Sequence, residues 1–238
     1  MNSWTTSDGQ VIHQILGGRC NGFLIAGRKG YLLVDPGSKI QWNSLRRRLA
    51  ALGIYAETLR ALILTHCHFD HAANAANIKS QFQTCLIGHT SEADYLRRGD
   101  NPFPGGTTFI TRLLAKVLLS KPLERFTRYQ PVEPDVLVAE RYDLQDLGFN
   151  GYLLHTPGHS PGSLSVILED EIALVGDTLF GVFPEAVFPP YAENPRQMLA
   201  SWEKLLDTGC ALYLPGHGGA RSRAVLRQQW EKHQSRRE

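Results

Sequence analysis

The run THCHFDH sets His66, His68, Asp70 and His71 within six positions. Imidazole nitrogen and carboxylate oxygen are both ligands of zinc and related cations, bound at about 2.0–2.2 Å. A cation so held polarises a carbonyl or phosphoryl oxygen and makes water a nucleophile near neutral pH. In an extended chain side chains alternate, so His66, His68 and Asp70 face one way, and His71 arrives from a second direction as the following AANAAN begins a helix. By itself the cluster is either a solvated, histidine-rich turn or half of a metal site. Three more candidates favour the second reading: His159 in TPGHSPGS, Asp177 in GDTLF and His217 in PGHG, each directly after an apolar run. Strand ends converging on one rim are a common place for polar sites. Glycines beside each candidate permit backbone conformations that bulkier residues resist. Cys67 points the opposite way from its neighbours in extended chain and reads as a small buried hydrophobe rather than a redox sensor. His89 is read as approaching the rim of the site, His155 as structural, and His13 and His233 as surface residues.

These residues need strands that end beside them. Short apolar, β-branched runs bounded by Gly, Pro or Asp occur in both halves: NGFLIAG, GYLLVD, LRALILTH and TCLIGH, then VLVAERYDL, GYLLHTP, SLSVILED, EIALVGD and ALYLPGH. Helical patterns separate them. Residues 40–52 carry apolar side chains on one side and Arg46, Arg47 and Arg48 on the other. The run NPRQMLASWEKLLD opens with a cap at Asn194 and Pro195 at the first helical position. Residues 220–237 read as a terminal helix with spaced Val225, Leu226 and Trp230. Such halves predict two packed sheets with helices outside. A single domain over residues 1–238 is expected, with a helical, lid-like insertion at about 90–133. There Leu113, Leu114, Val117 and Leu118 fall at helical spacing, as core packing, a homodimer face or a lid over a pocket.

The composition narrows the classes. With 238 residues, 42% of them hydrophobic, the chain has ample core. A net charge of +2 gives no whole-molecule argument for nucleic acid. The basic terminal helix (Arg221, Arg223, Arg227, Lys232, Arg236, Arg237) lacks interleaved aromatics to stack bases and reads as a solvated face. The four cysteines are far apart with no CxxC pair, which speaks against sulfur-ligated structural zinc and against a disulfide framework. No signal-peptide pattern and no apolar run of bilayer length is visible, so a cytoplasmic protein without a membrane role, acting on a small-molecule substrate, is expected.

Taken in order, VDPG (with Asp35), THCHFDH, TPGHSPGS, GDTLF and PGHG resemble the motifs of the metallo-β-lactamase-fold superfamily, from Asn21 to His217. The resemblance implies an αββα four-layer sandwich, two mixed sheets flanked by helices, with the site at one edge of the sheets. It also implies a dinuclear centre of two divalent metal ions, zinc first, with iron or manganese as alternatives. His66, His68 and His159 would hold one ion, Asp70, His71 and His217 the other, and Asp177 would bridge them. Asp35 would brace the histidine loop. A bridging hydroxide would attack an ester, thioester or lactone, with Asp70 orienting the nucleophile and taking a proton. Asp177 at the bridging position differs from β-lactamases, and the second histidine of HxHxDH differs from flavodiiron proteins. The motifs are most similar to glyoxalase-II-like hydrolases. However, GVFPEAVFPPYAE stands where that group has a Gly-Cys-Gly-Arg-type, glutathione-binding segment. Phe180, Phe183, Phe188 and Tyr191 in that segment are candidates for an apolar, substrate-binding pocket suited to a hydrophobic acyl group. A mononuclear iron persulfide dioxygenase-like oxidoreductase and a phosphodiesterase are the alternative activities.

Overall fold

The computed structural model describes residues 2–100, 105–107 and 127–235. Among them, seven strands form one sheet in chain order: β1 (Ser3–Thr5), β2 (Val11–Leu16), β3 (Gly22–Gly27), β4 (Gly30–Val34), β5 (Leu59–Ile63), β6 (Cys85–His89) and β7 (Val136–Val138). The pairings from β1 to β4 are antiparallel and those from β4 to β7 parallel. The second sheet holds β8 (Arg141–Asp143), β9 (Gly151–His155), β10 (Leu164–Leu168), β11 (Ile172–Gly176), β12 (Leu212–Pro215) and β13 (Arg221–Ser222). Its spatial order is the reverse of chain order, and only β11 and β12 pair in parallel.

The period of two within the apolar runs sorts the core into layers. β4 sends Leu32 and Val34 between the sheets and Leu33 outward. β5 does the same with Ala61 and Ile63 against Leu62, and β11 with Ile172 and Leu174 against Ala173 and Val175. Burying each large aliphatic side chain contributes about 1.5–3 kcal/mol. Because both faces of these strands are covered, they read as continuous apolar runs rather than as alternation. On the first sheet's outer face lie α1 (Trp42–Ala51), α3 (Ala75–Phe82) and α4 (Ala93–Arg98), through Leu45, Leu49, Ile78, Phe82 and Leu96. On the second lie α5 (Pro195–Asp207) and α6 (Arg223–Gln234), through Met198, Leu199, Trp202, Leu205 and Leu226. The architecture is the expected four-layer αββα sandwich. Asn194 caps α5 by accepting from Gln197 N at 3.1 Å, with Pro195 in the first turn.

Some expectations change. VLVAERYDL is two strands in different sheets, β7 and β8. The Ala139–Glu140 connection is tied to both: Ala139 O accepts from His89 Nε2 at 2.7 Å and Glu140 O from His155 N at 2.8 Å. His89 therefore belongs to this crossing and not to the rim of the site. Its ring stacks on that of His155 at 4.0 Å. The terminal helix starts at Arg223, because Arg221 and Ser222 pair as β13 with β12 and Ser222 caps α6. The helix expected around Leu113 to Leu118, in the insertion expected at about 90–133, lies outside the described residues. Among the described residues, no helix is long and apolar enough to cross a membrane.

Candidate metal centre

Four strand ends deliver the candidate ligands to one place. After β5, residues 64–68 run on without regular structure, and His66 and His68 leave on this loop. Asp70 and His71 follow on the single turn α2 (Phe69–Ala72), which His68 precedes as its N-cap residue. Asp70 thus reaches the centre from a helix, not by the strand alternation that would align it with His66 and His68. His159 follows β9, Asp177 follows β11 and His217 follows β12. Backbone bonds draw these ends together: Leu164 N donates to Thr65 O at 2.7 Å, and Gly216 N to Gly176 O at 2.7 Å.

The donor atoms converge in three overlapping groups: His66, His68 and His159; His66, His71 and Asp177; Asp70, His71 and His217. Within each group the donors lie within 4.8 Å of one another. His68 Nδ1 stands 2.9 Å from His159 Nε2, and His71 Nε2 stands 3.3 Å from His217 Nε2. Asp177 touches both sides: Oδ1 is 3.3 Å from His71 Nε2, and Oδ2 is 3.3 Å from His217 Nε2 and 3.6 Å from His159 Nε2. Asp70 Oδ2 is 3.4 Å from His217 Nε2. Ligands around one tetrahedral ion at about 2.0–2.1 Å stand about 3.3 Å apart, so these separations suit cations. Two buried atoms here, His66 Nε2 and Asp177 Oδ1, have no hydrogen-bond partner. Leaving such atoms unpaired costs about 1–3 kcal/mol each, a cost that a cation between them removes. The residues present therefore fit a metal centre.

The far sides of the rings are held, which fixes the nitrogen each presents. His71 Nδ1 donates to Asp35 Oδ2 at 2.8 Å. The same carboxylate accepts from Thr65 N at 2.8 Å and Thr65 Oγ1 at 2.7 Å, and Thr65 Oγ1 lies 3.0 Å from His66 Nδ1. Asp35 adopts φ +57°, a left-handed conformation that aspartate tolerates better than most residues. His159 Nδ1 donates to Tyr191 O at 2.9 Å. Two residues without a sequence signal also brace the centre. Asn21 donates through Nδ2 to Pro215 O and Gly218 O, both at 2.9 Å, and so holds the His217 loop from both sides. Glu92, 2% exposed, holds the loops that carry the other histidines. Gly216 has a steric reason: a Cβ there would run into the Asp177 carboxylate and stand 2.6 Å from His71 Cε1.

Electrostatics divides the histidines. Burial holds His66 and His159 below the ordinary imidazole value, and burial together with His159 brings His68 down to about 3. Burial opposes charge on His217 as well, but Asp177 and Asp70 outweigh it and raise His217 to about 9. Burial likewise opposes ionisation of Asp177, yet His217, His71 and His159 keep its carboxyl well below the usual range. Cys67 is 2% exposed and packed among apolar side chains, and burial and Glu92 push its thiol well up.

A cavity of about 210 Å³ opens onto His68, Asp70, His159, Asp177 and His217, walled by Phe69, Phe180, Pro189, Pro190 and Tyr191. Phe180 and Tyr191 thus stand where the sequence puts a substrate wall, while Phe69 and the two prolines carried no signal. Phe183 and Phe188 do not line it. Arg221 Nη2 binds Gly181 O at 2.6 Å and Phe183 O at 2.7 Å, and in the loop so held Phe183 is 62% exposed. Phe188 packs instead on Trp202 and His233, with ring centroids at 5.5 and 4.7 Å. Thr107 buttresses the wall, donating from N and Oγ1 to Pro190 O and Pro189 O at 3.0 and 2.8 Å.

Residues 15–217 match the metallo-beta-lactamase superfamily. A probable metallo-hydrolase of Methanocaldococcus jannaschii is 31% identical over 160 residues, 67% of each chain. The hydroxyacylglutathione hydrolase GloC of Haemophilus influenzae is 28% identical over 64% of this chain and 62% of its own length. Among solved structures, the B3 metallo-beta-lactamase BLEG-1 superposes with a TM-score of 0.68 at 23% identity, over 90% of this chain and 95% of that one. With this match over most of its length, and with the five motifs meeting at one rim of an αββα sandwich, the chain belongs to the metallo-beta-lactamase superfamily and carries its hydrolase fold.

Proposed function

We propose that this protein is a dinuclear metal-dependent hydrolase of esters, thioesters or lactones with an apolar acyl group. The observation that carries the reading is Asp177, one carboxylate in reach of histidines from two separate donor groups at the floor of an apolar cavity. His66, His68 and His159 would hold one cation, and Asp70, His71 and His217 the other, with Asp177 between them. The nitrogen and oxygen donor set suits zinc first, and iron or manganese as well. Held there, two divalent cations supply the charge that acidifies water near neutral pH and neutralises an oxyanion. Asp70 lines the cavity with 24% of its side chain exposed, against 10% for Asp177, so it is the carboxylate more open to the cavity. It orients the attacking water and takes its proton at a carboxylate oxygen. Asp35 keeps the proton of His71 on Nδ1, and Tyr191 O keeps that of His159 on Nδ1, so both rings present Nε2. Phe69, Phe180 and the Pro189–Tyr191 wall seat the acyl group and exclude bulk water. The relative named as a hydroxyacylglutathione hydrolase supports a thioester among the substrates.

A series of acyl thioesters and lactones of rising chain length tests the substrate reading. Each methylene buried in the cavity is worth about 0.8 kcal/mol, or about fourfold in kcat/KM, until the space of about 210 Å³ is filled. A flat or falling series removes the apolar acyl group from the proposal.

The metal reading has its own signature in pH. His217, raised to about 9 in the metal-free protein, must lose a proton to become a ligand, whereas the three-histidine group is already neutral at pH 7. Affinity for the cation at the Asp70, His71 and His217 group therefore rises by at least about tenfold per pH unit up to about pH 9, with one or more protons released per cation bound there, because His71, whose charge burial opposes, is also held well above the ordinary value by Cys20, Asp177, Asp70 and Asp35. Zinc calorimetry at several pH values, in buffers of different ionisation enthalpy, reads both. A pH-independent affinity with no proton released would remove His217 from the ligand set.

A further inference from the structure

Glu92 lines no part of the cavity and belongs to none of the three donor groups, yet its carboxylate is buried directly behind them. It follows β6, in the short turn that leads into α4. Oε2 accepts from Cys67 N, the amide between His66 and His68. Oε1 accepts from Ser160 Oγ, beside His159, and from Gly162 N at 3.2 Å. One planar group thus joins two loops that leave different sheets, and those loops carry all three members of the His66, His68 and His159 group. The approach is as close as the chain permits: a Cβ on Gly162 would stand 2.5 Å from Glu92 Cγ. The surrounding contacts are set to keep it there. Ser163 Oγ lies 2.9 Å from Ser160 Oγ, and Tyr129 Oη donates to Cys67 O at 2.8 Å. The other histidines have separate supports, Asp35 for His71 and Asn21 for the His217 loop.

We infer that Glu92 is a positioning residue that sets the spacing of His66, His68 and His159 and so governs the occupancy of that one cation site. The inference rests on the dinuclear reading above. Burying an ionised carboxylate is costly unless its lone pairs are used, and here three donors from two loops use them. Glutamine keeps the shape of Glu92 but turns one acceptor into a donor. Ser160 Oγ can rotate to accept from the amide, but an N–H of Cys67 or Gly162 cannot, so at least one of the backbone bonds that tie the loops to this side chain is lost.

The test is a zinc titration against a chromophoric chelator on metal-free wild-type, E92Q and S160A proteins, with circular dichroism to confirm folding. Wild type should take up two equivalents. E92Q should bind one equivalent with wild-type affinity and the other about 10–100-fold more weakly, the range typical of groups that support metal ligands. S160A, which removes one of the three bonds, should shift the same equivalent in the same direction by less, and it decides the matter if E92Q does not fold. Two equivalents bound by the variants with wild-type affinity, or both weakened alike, overturn the inference. Fewer than two equivalents in wild type overturns the dinuclear reading instead, so the two failures are distinguishable.

Discussion

Asp177→Ala strips both cations from the protein and lowers kcat/KM on the order of 10⁴-fold. The magnitude follows from geometry. Removing one preorganised electrostatic group from an active site costs about 10²–10³-fold, and this carboxylate serves two groups of donors at once. Its two oxygens stand 3.3 Å from His71 and His217 and 3.6 Å from His159. Without it, the imidazoles of His71, His217 and His159 face one another with Asp70, 3.4 Å from His217 Nε2, as the remaining carboxylate. Asp177→Asn is the control: it keeps the shape and one oxygen while losing the charge, and should retain the fold while binding both metals weakly. Plasma mass spectrometry after dialysis gives the stoichiometry. Full activity with two metals bound would end the bridging assignment.

His159→Ala has the second largest effect, a loss of about 10³-fold in kcat with the fold intact. The substitution takes one of the three donors from the His66, His68 and His159 group and leaves the other group whole, so about one cation per chain remains. It also removes the bond that Tyr191 O accepts from His159 Nδ1 at 2.9 Å. Since Tyr191 forms part of the cavity wall, KM for apolar substrates rises along with the fall in kcat. The stability effect is small. One hydrogen bond is worth about 1 kcal/mol net, which in a chain of this size moves Tm by about 2–4 °C. Near wild-type turnover by H159A would remove His159 from the ligand set. Lost circular dichroism would show that the ring is needed for folding rather than for chemistry.

The strand ends that build the centre were legible because each is a short apolar run that stops at a polar residue. Leu32, Ala61 and Leu174, with their alternating neighbours, form such runs whichever sheet they enter. Where the chain changes sheet was not legible. VLVAERYDL has one continuous β pattern, and the break at Ala139–Glu140 depends on His89 and on the His155 amide, which are distant in sequence. The direction of the aromatic residues in GVFPEAVFPPYAE was equally hidden. Phe180 and Tyr191 face the cavity while Phe188 meets Trp202, because Arg221 and α5 decide how that loop is turned. Asp70 shows a third kind of limit: its residue type marked it as a ligand, but a helical turn, not a strand, carries it to the site.

The amino-acid sequence by itself determined which residues have lone pairs to give and how closely they follow strand ends. Ligand chemistry depends on residue type, and strand ends are marked by local breaks in apolar runs. Only the tertiary structure decided which donors share a group, that one carboxylate reaches two groups, and that Asn21 and Glu92 stand behind the loops. Those are contacts between segments far apart in the chain. A buried polar brace has no periodicity and no motif of its own, because its role is defined entirely by the backbone groups that the fold brings to it.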